Sequence, residues 1–136
     1  MNRILVIGDL LTDRYRFLNP LRSDPANNAA LVVESKREEM VDGGAGNLVR
    51  NIKSLCETDV HFSYTGERFP TKIRYYIGDQ FLLREDEDDA VTHDSKVIDE
   101  FIDLIEPNDL VVISDYHKGT VEREDVVHII EKSREV

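Results

Sequence analysis

A single cysteine, Cys56, excludes an internal disulfide in this chain of 136 residues and suits a reducing compartment, so the chain is expected in the cytoplasm. Without a CxxC or a Cys–His pairing visible in the sequence, Cys56 reads as core filling. Cations are scarce, 17 Lys and Arg against 28 Asp and Glu, for a net charge of −11. That balance excludes a nucleic-acid or anionic-membrane surface, because phosphate backbones demand clustered Lys and Arg. A small anionic ligand stays possible, since a few local cations suffice for it. No apolar run approaches the roughly 18 residues needed to span a bilayer. The first residues, "MNRILVIGDLL", hold a short apolar run interrupted by Gly8 and Asp9, which predicts a strand and not a signal peptide. His61, His93, His117 and His128 are scattered without HxxxH or HExxH spacing, so no metal site is expected. His117 alone falls near the groups singled out below, and a surface histidine is its plainer reading.

What is present fits one folded unit. The hydrophobic fraction of 40% and only four prolines are those of a globular chain long enough to build a core without staples. Much of the acidic excess sits in "REDEDD", residues 84–89. Lacking the glycine and spaced ligands of a calcium loop, this run reads as a solvated turn.

Residues 4–7 form a continuous β-branched run, the mark of a strand buried on both faces, and 110–114 ("LVVIS") form a second. Short strands are predicted at 14–18 and 31–35, separated by the turn-rich "NPLRSDPANN", and another at 60–64. Residues 71–77 and 80–84 flank "GD", a strong hairpin signal. Helical spacing places helices at 45–56, 95–105 (stopped by Pro107) and 121–133. Alternating strands and helices imply an α/β fold with a mainly parallel central sheet. The amphipathic strands at 14–18, 31–35, 71–77 and 80–84 are assigned to a separate small sheet.

Ligands of open α/β sheets bind at the carboxyl ends of the strands. Three polar groups fall there: "GDLLTD" after the first strand, "DYHKG" after "LVVIS", and the Gly43–Gly44 pair opening a helix. The glycine pair has two readings. It is a turn needing positive φ, or it admits a ligand's polar groups to the free N–H groups of a helix start. The second reading expects Gly44→Ala to keep the fold and block binding.

In order, "ILVIGDLLTDRY", "GGAGN", "TKIRYYIGDQFLLRED" and "VVISDYHKG" resemble the ribokinase-like (PfkB) carbohydrate kinases. The likeness covers most of the chain. It is strongest to the kinase domain of the bifunctional heptose 7-phosphate kinase/heptose 1-phosphate adenylyltransferases. The first and last motifs are fairly specific to that branch, while GG-xx-N runs through the whole family. The resemblance implies a doubly wound α/β sheet with a small β-lid over a sugar site. It implies that Asp9 and Asp13 belong to the sugar cleft, Asp13 gripping hydroxyls. Gly43, Gly44 and Asn47 would form the turn that approaches the sugar. Lys72, Arg74 and Arg84 would lie on or near the lid, and Asp115, Tyr116 and Lys118 would line the cleft floor. Carboxylates accept from sugar hydroxyls, and cations offset a sugar phosphate.

The chain departs from that family in three places. It has no G-A-G-D motif, the family's anion hole and catalytic base, so no catalytic residue is assigned. It omits much of what the family carries between "FSYTGE" and "FPTK". Arg22, Ser23, Asp24, Pro25 and Ala26 stand where the heptose branch has R-I-S-P-E. Phosphoryl transfer is almost wholly positioning and electrostatics. The expected function is therefore a sugar or sugar-phosphate binding module without phosphotransfer of its own. The alternatives are half of a split or minimal kinase, using ATP and Mg2+ only when a partner chain completes it, and a structural remnant. Exposed lid edges imply a homodimer through the lid.

Overall fold

The computed structural model describes residues 3–88 and 91–136. Along the chain run β1 (Arg3–Gly8), β2 (Leu10–Ser23), β3 (Leu31–Gly44) and α1 (Ala45–Leu55). Then follow β4 (Asp59–Ser63), β5 (Thr71–Ile77), β6 (Gln80–Glu87), α2 (Ser95–Asp103), β7 (Leu110–Ser114) and α3 (Arg123–Glu135). The strands form two sheets. One has the order β4–β1–β7, parallel throughout, and the other the order β3–β2–β5–β6. The second sheet is mixed, since only its β2–β5 pair is parallel. The expected separation into a central sheet and a lid sheet holds. Only the central sheet is parallel throughout.

β1 is central because its residues alternate between two apolar layers. Leu5 and Ile7 pack with Ile98, Phe101 and Ile105 of the α2 region and with Val121 and Ile129 at α3. Ile4 and Val6 face the other way, against Val49 of α1 with Leu48, Ile52, Val60 and Phe62 around them. Cys56 joins that second layer, half-buried, as its reading as core filling expected. A fully buried aliphatic or phenylalanine side chain stabilises by roughly 1.5–3 kcal/mol, so the paired layers anchor β1 from both sides. No helix among the described residues is long and apolar enough to cross a membrane.

The lid strands are longer than expected. β2 and β3 each span 14 residues where short strands were predicted at 14–18 and 31–35. The turn chemistry is confined to the hairpin tip. There the Asp24 amide donates to the Ala30 carbonyl (2.9 Å), and the Asp24 and Asn27 side chains accept from the Ala26 and Ala29 amides. Pro20, which lacks a donor, sits where the register shifts between Pro20 and Arg22. The charged stretch "KREEMVD" pairs as strand because β3 is an edge strand and almost wholly exposed, where charge blunts further pairing.

The acidic run is also corrected. Arg84 to Glu87 are the end of β6 and not a turn, Asp88 follows it, and Asp89 lies outside the described residues. The hairpin explains why. β5 reaches back to Thr71, and Thr71 pairs with Glu87.

Candidate functional site

Asp9 organises the region where the three polar groups meet. Its side chain is wholly buried. One carboxylate oxygen accepts from the amides of Tyr116 (2.7 Å) and Lys118 (3.1 Å), and the other from the amide of Thr120 (3.0 Å). Its backbone N–H donates to the Ser114 carbonyl at the end of β7, and its carbonyl accepts from Ala45, the first residue of α1. One residue thus ties β1 to the 115–120 loop and to the helix start. A buried carboxylate is costly unless its oxygens are satisfied, and three N–H donors supply that. Asp9, expected in the sugar cleft, lies behind the floor, with its carboxylate oxygens turned to three amides.

The two glycines divide between the two readings. Gly44 has φ 55°, and a Cβ there would stand 2.5 Å from the Asp9 carbonyl oxygen. Backbone geometry alone requires glycine, so Gly44→Ala tests the fold and not binding. Gly43 is different. Its φ is ordinary, and a Cβ there would stand 2.5 Å from Oδ2 of Asp13. The bare face of Gly43 lies against the carboxylate assigned to sugar hydroxyls.

Asp13 is half-buried, and its Oδ1 accepts from Nη1 of Arg74 at 2.6 Å. That hydrogen bond, opposed by partial desolvation, raises the pKa of the Arg74 guanidinium further. Register explains the meeting: Asp13 lies opposite Lys72, and Tyr15 opposite Arg74. Alternation then puts Asp13, Tyr15 and Phe17 on one face with Lys72, Arg74 and Tyr76. The Arg74 guanidinium stands 5.4 Å from the Tyr15 ring centre, and an aromatic series continues outward through Phe17, Tyr76 and Phe81. On the opposite face Glu38 accepts from Arg16 (2.8 Å), and the Tyr75 hydroxyl donates to Glu85 (2.6 Å).

The lid meets the floor through the same face. The Lys72 ammonium lies 5.9 Å from the centre of the Tyr116 ring, and Nζ of Lys118 donates to Asp88 at 2.6 Å. Arg84 donates to Asp86 at 2.5 Å. That bond, together with the fields of Arg84, Lys72 and Lys118, holds the Asp86 carboxyl below its ordinary range, against a smaller opposing effect of desolvation.

Asp13, Gly43, Lys72, Arg74, Arg84, Tyr116 and Lys118 are thus linked along one lid face and the floor below it. Two expected residues are engaged elsewhere. Asn47 is exposed on the first turn of α1 and accepts from Arg50 (2.7 Å). Asp115 accepts from the amide of His117 (2.7 Å), whose positive φ of 57° it supports. The His117 side chain is 94% exposed, a surface histidine as expected. The sequence reading missed Tyr15, Asp86 and Asp88. The period-two aromatics Tyr15 and Phe17 were a signal for the first. Counting both arms of the hairpin from Gly78–Asp79 would have carried β6 to the others.

A separate cleft of about 670 Å3 opens between Tyr64–Arg68 and Thr92–Val97 and contains none of the expected residues. Its ionisable lining groups are Glu67, Arg68, His93 and Asp94, whereas the lid face pairs Arg74, Arg84 and Lys118 with carboxylates. The lid face is the better candidate.

The chain is 31% identical over 160 positions to the bifunctional protein HldE of a Nitratiruptor species, with 96% of this chain aligned. It is 33% identical over 148 positions to that of Methylococcus capsulatus, with 88% of this chain aligned. Its fold matches that of a putative phosphofructokinase from Staphylococcus aureus at a TM-score of 0.62 and 10% identity, over 97% of this chain. It also matches phosphofructokinase-2 from Escherichia coli, in complex with potassium, at a TM-score of 0.59 and 11% identity. The chain has the ribokinase-like fold and resembles a truncated kinase domain of that type. No protein-family model matches it. It spans 34% and 31% of the two HldE proteins, and half of the solved kinase chains. The first alignment is longer than the chain itself, so that relative carries residues inside the matched region that this ribokinase-like chain omits.

Proposed function

We propose that the chain is a sugar or sugar-phosphate binding module of heptose-kinase descent that carries out no phosphotransfer by itself. The observation that carries this reading is the Asp13 carboxylate set against the bare face of Gly43, with Arg74 at 2.6 Å and Lys72 opposite in the ladder. A partly exposed carboxylate suits hydroxyl groups, and the neighbouring cations suit a phosphate. Among the described residues no group of three or more His, Cys, Asp or Glu could hold a metal ion, and the reading routes no step through one. The family's anion hole and base have no counterpart motif in the sequence. The lone, half-buried Cys56 supports a cytoplasmic setting.

Calorimetry with a panel of heptose and hexose phosphates tests the reading. The parent is expected to bind. Asp13→Ala is expected to keep its circular dichroism and lose roughly ten- to a hundred-fold in affinity, the value of a hydrogen bond to a charged group. Equal binding by both proteins sinks the assignment of Asp13. Turnover with magnesium ATP at roughly 1–100 per second overturns the absence of phosphotransfer.

A second copy is the proposed partner. The far ends of β2 and β3 expose Leu21 (57%), Leu31 (57%) and Val33 (37%), and β3 is an open edge, which together support a homodimer through the lid. Light scattering at high micromolar concentration is expected to give the dimer mass, and a monomer there counts against it.

A further inference from the structure

Three of the cleft's four cations are already held by carboxylates of this chain. Arg74 is held by Asp13 (2.6 Å), Arg84 by Asp86 (2.5 Å) and Lys118 by Asp88 (2.6 Å). The fourth, Lys72, lies directly across the ladder from Asp86. Asp13 grows from β2 and belongs to the sugar-facing group. Asp86 and Asp88 are different, because one lies at the acidic end of the edge strand β6 and the other just after it, and they meet Arg84 of the lid and Lys118 of the floor.

We propose that Asp86 and Asp88 form an internal counter-anion that a ligand's phosphate displaces. The magnitudes favour such an exchange. A solvent-exposed ion pair is worth a factor of about 1.4 to 5 in an equilibrium, and Asp88 is 61% exposed. A phosphate monoester carries about −1.5 to −2 charge and three strong acceptors, and binds a guanidinium through two oxygens. It outcompetes a single exposed carboxylate for Arg84 and Lys118. A neutral hydroxyl does not, so a sugar without phosphate finds these cations occupied. The Arg84 hydrogen bond, with lesser help from the charges of Lys72 and Lys118, holds the Asp86 carboxyl below its ordinary range. Asp88 belongs to the lid side and Lys118 to the floor, so the exchange also releases one lid-to-floor link.

The proposal draws on the sugar-phosphate reading only for the class of ligand, and its test does not need a sugar. Inorganic phosphate is titrated into the full chain at low salt, with the parent, Asp88→Asn, the double variant Asp86→Asn/Asp88→Asn, and Glu87→Gln. Glu87 is the control. It changes net charge by the same amount from the neighbouring position, which alternation places on the opposite face of β6. The phosphate dissociation constant is expected to fall about two- to fivefold in Asp88→Asn and roughly tenfold in the double variant, with Glu87→Gln within about twofold of the parent. The proposal is overturned if the double variant binds no tighter than the parent, if Glu87→Gln gains as much, or if no form binds phosphate. A gain for phosphate without binding of any sugar phosphate supports the counter-anion and sinks the sugar reading instead.

Discussion

The central sheet and the lid leave one seam, Gly8–Leu10 and Gly44–Ala45, and then obey opposite rules. In β1 every residue from Ile4 to Gly8 is buried, whereas all eight residues of β6 are exposed. β1 is held by side chains from two apolar layers. The lid is held by its backbone ladders, by ion pairs and by one aromatic row. The contrast teaches where change is tolerated. The core sheet depends on what its side chains displace, while the lid depends on what its two faces offer to something else.

Paired substitutions can break this contrast. Phe101 is wholly buried between β1 and α3, and Phe81 is 51% exposed at the outer end of the lid row. Phe101→Ala is expected to cost about 3–5 kcal/mol in urea unfolding, and Phe81→Ala less than about 1 kcal/mol. Equal losses would mean that the lid shares the core's packing. The glycines sharpen the same comparison with a smaller effect. Gly44 and Gly78 both have positive φ, 55° and 57°, yet a Cβ at Gly78 meets nothing within 4 Å. Gly78→Ala should cost about 1–2 kcal/mol for its backbone conformation alone. Gly44→Ala adds a collision with the Asp9 carbonyl, for a total of about 2–5 kcal/mol. Melting curves that place the two variants together would show that the seam yields as freely as the hairpin turn.

The physics of the two regions also decides what could be read in the sequence. β1 was legible because burial on both faces leaves an uninterrupted apolar run; β7 carries such a run too, although it lies at the edge of its sheet and is only partly buried. The hairpin of β5 and β6 was legible from Gly78–Asp79. The rest of β2 and β3, residues 10–13, 19–23 and 36–44, was not: the exposed edge strand β3 places no demand on hydrophobicity, and "KREEMVD" is as compatible with a loop as with a ladder. The same reasoning hid Glu85 to Asp88. In the candidate site, the family resemblance pointed to Asp13, Lys72 and Arg74, and register puts them side by side. The setting of Asp9 was not legible, because a carboxylate at a strand end looks the same in sequence whether it faces open solvent or three amides. Only its burial separates the two.

That burial has a consequence for timing. The 115–120 loop carries exposed side chains, yet the amides of Tyr116, Lys118 and Thr120 are fastened to a carboxylate inside the core. The floor therefore cannot loosen by itself and opens only on the slow timescale of core unfolding. An arriving ligand meets a surface whose ordering cost was settled during folding, which leaves more of its contact energy as affinity. Only the wall above it, the lid, remains to move.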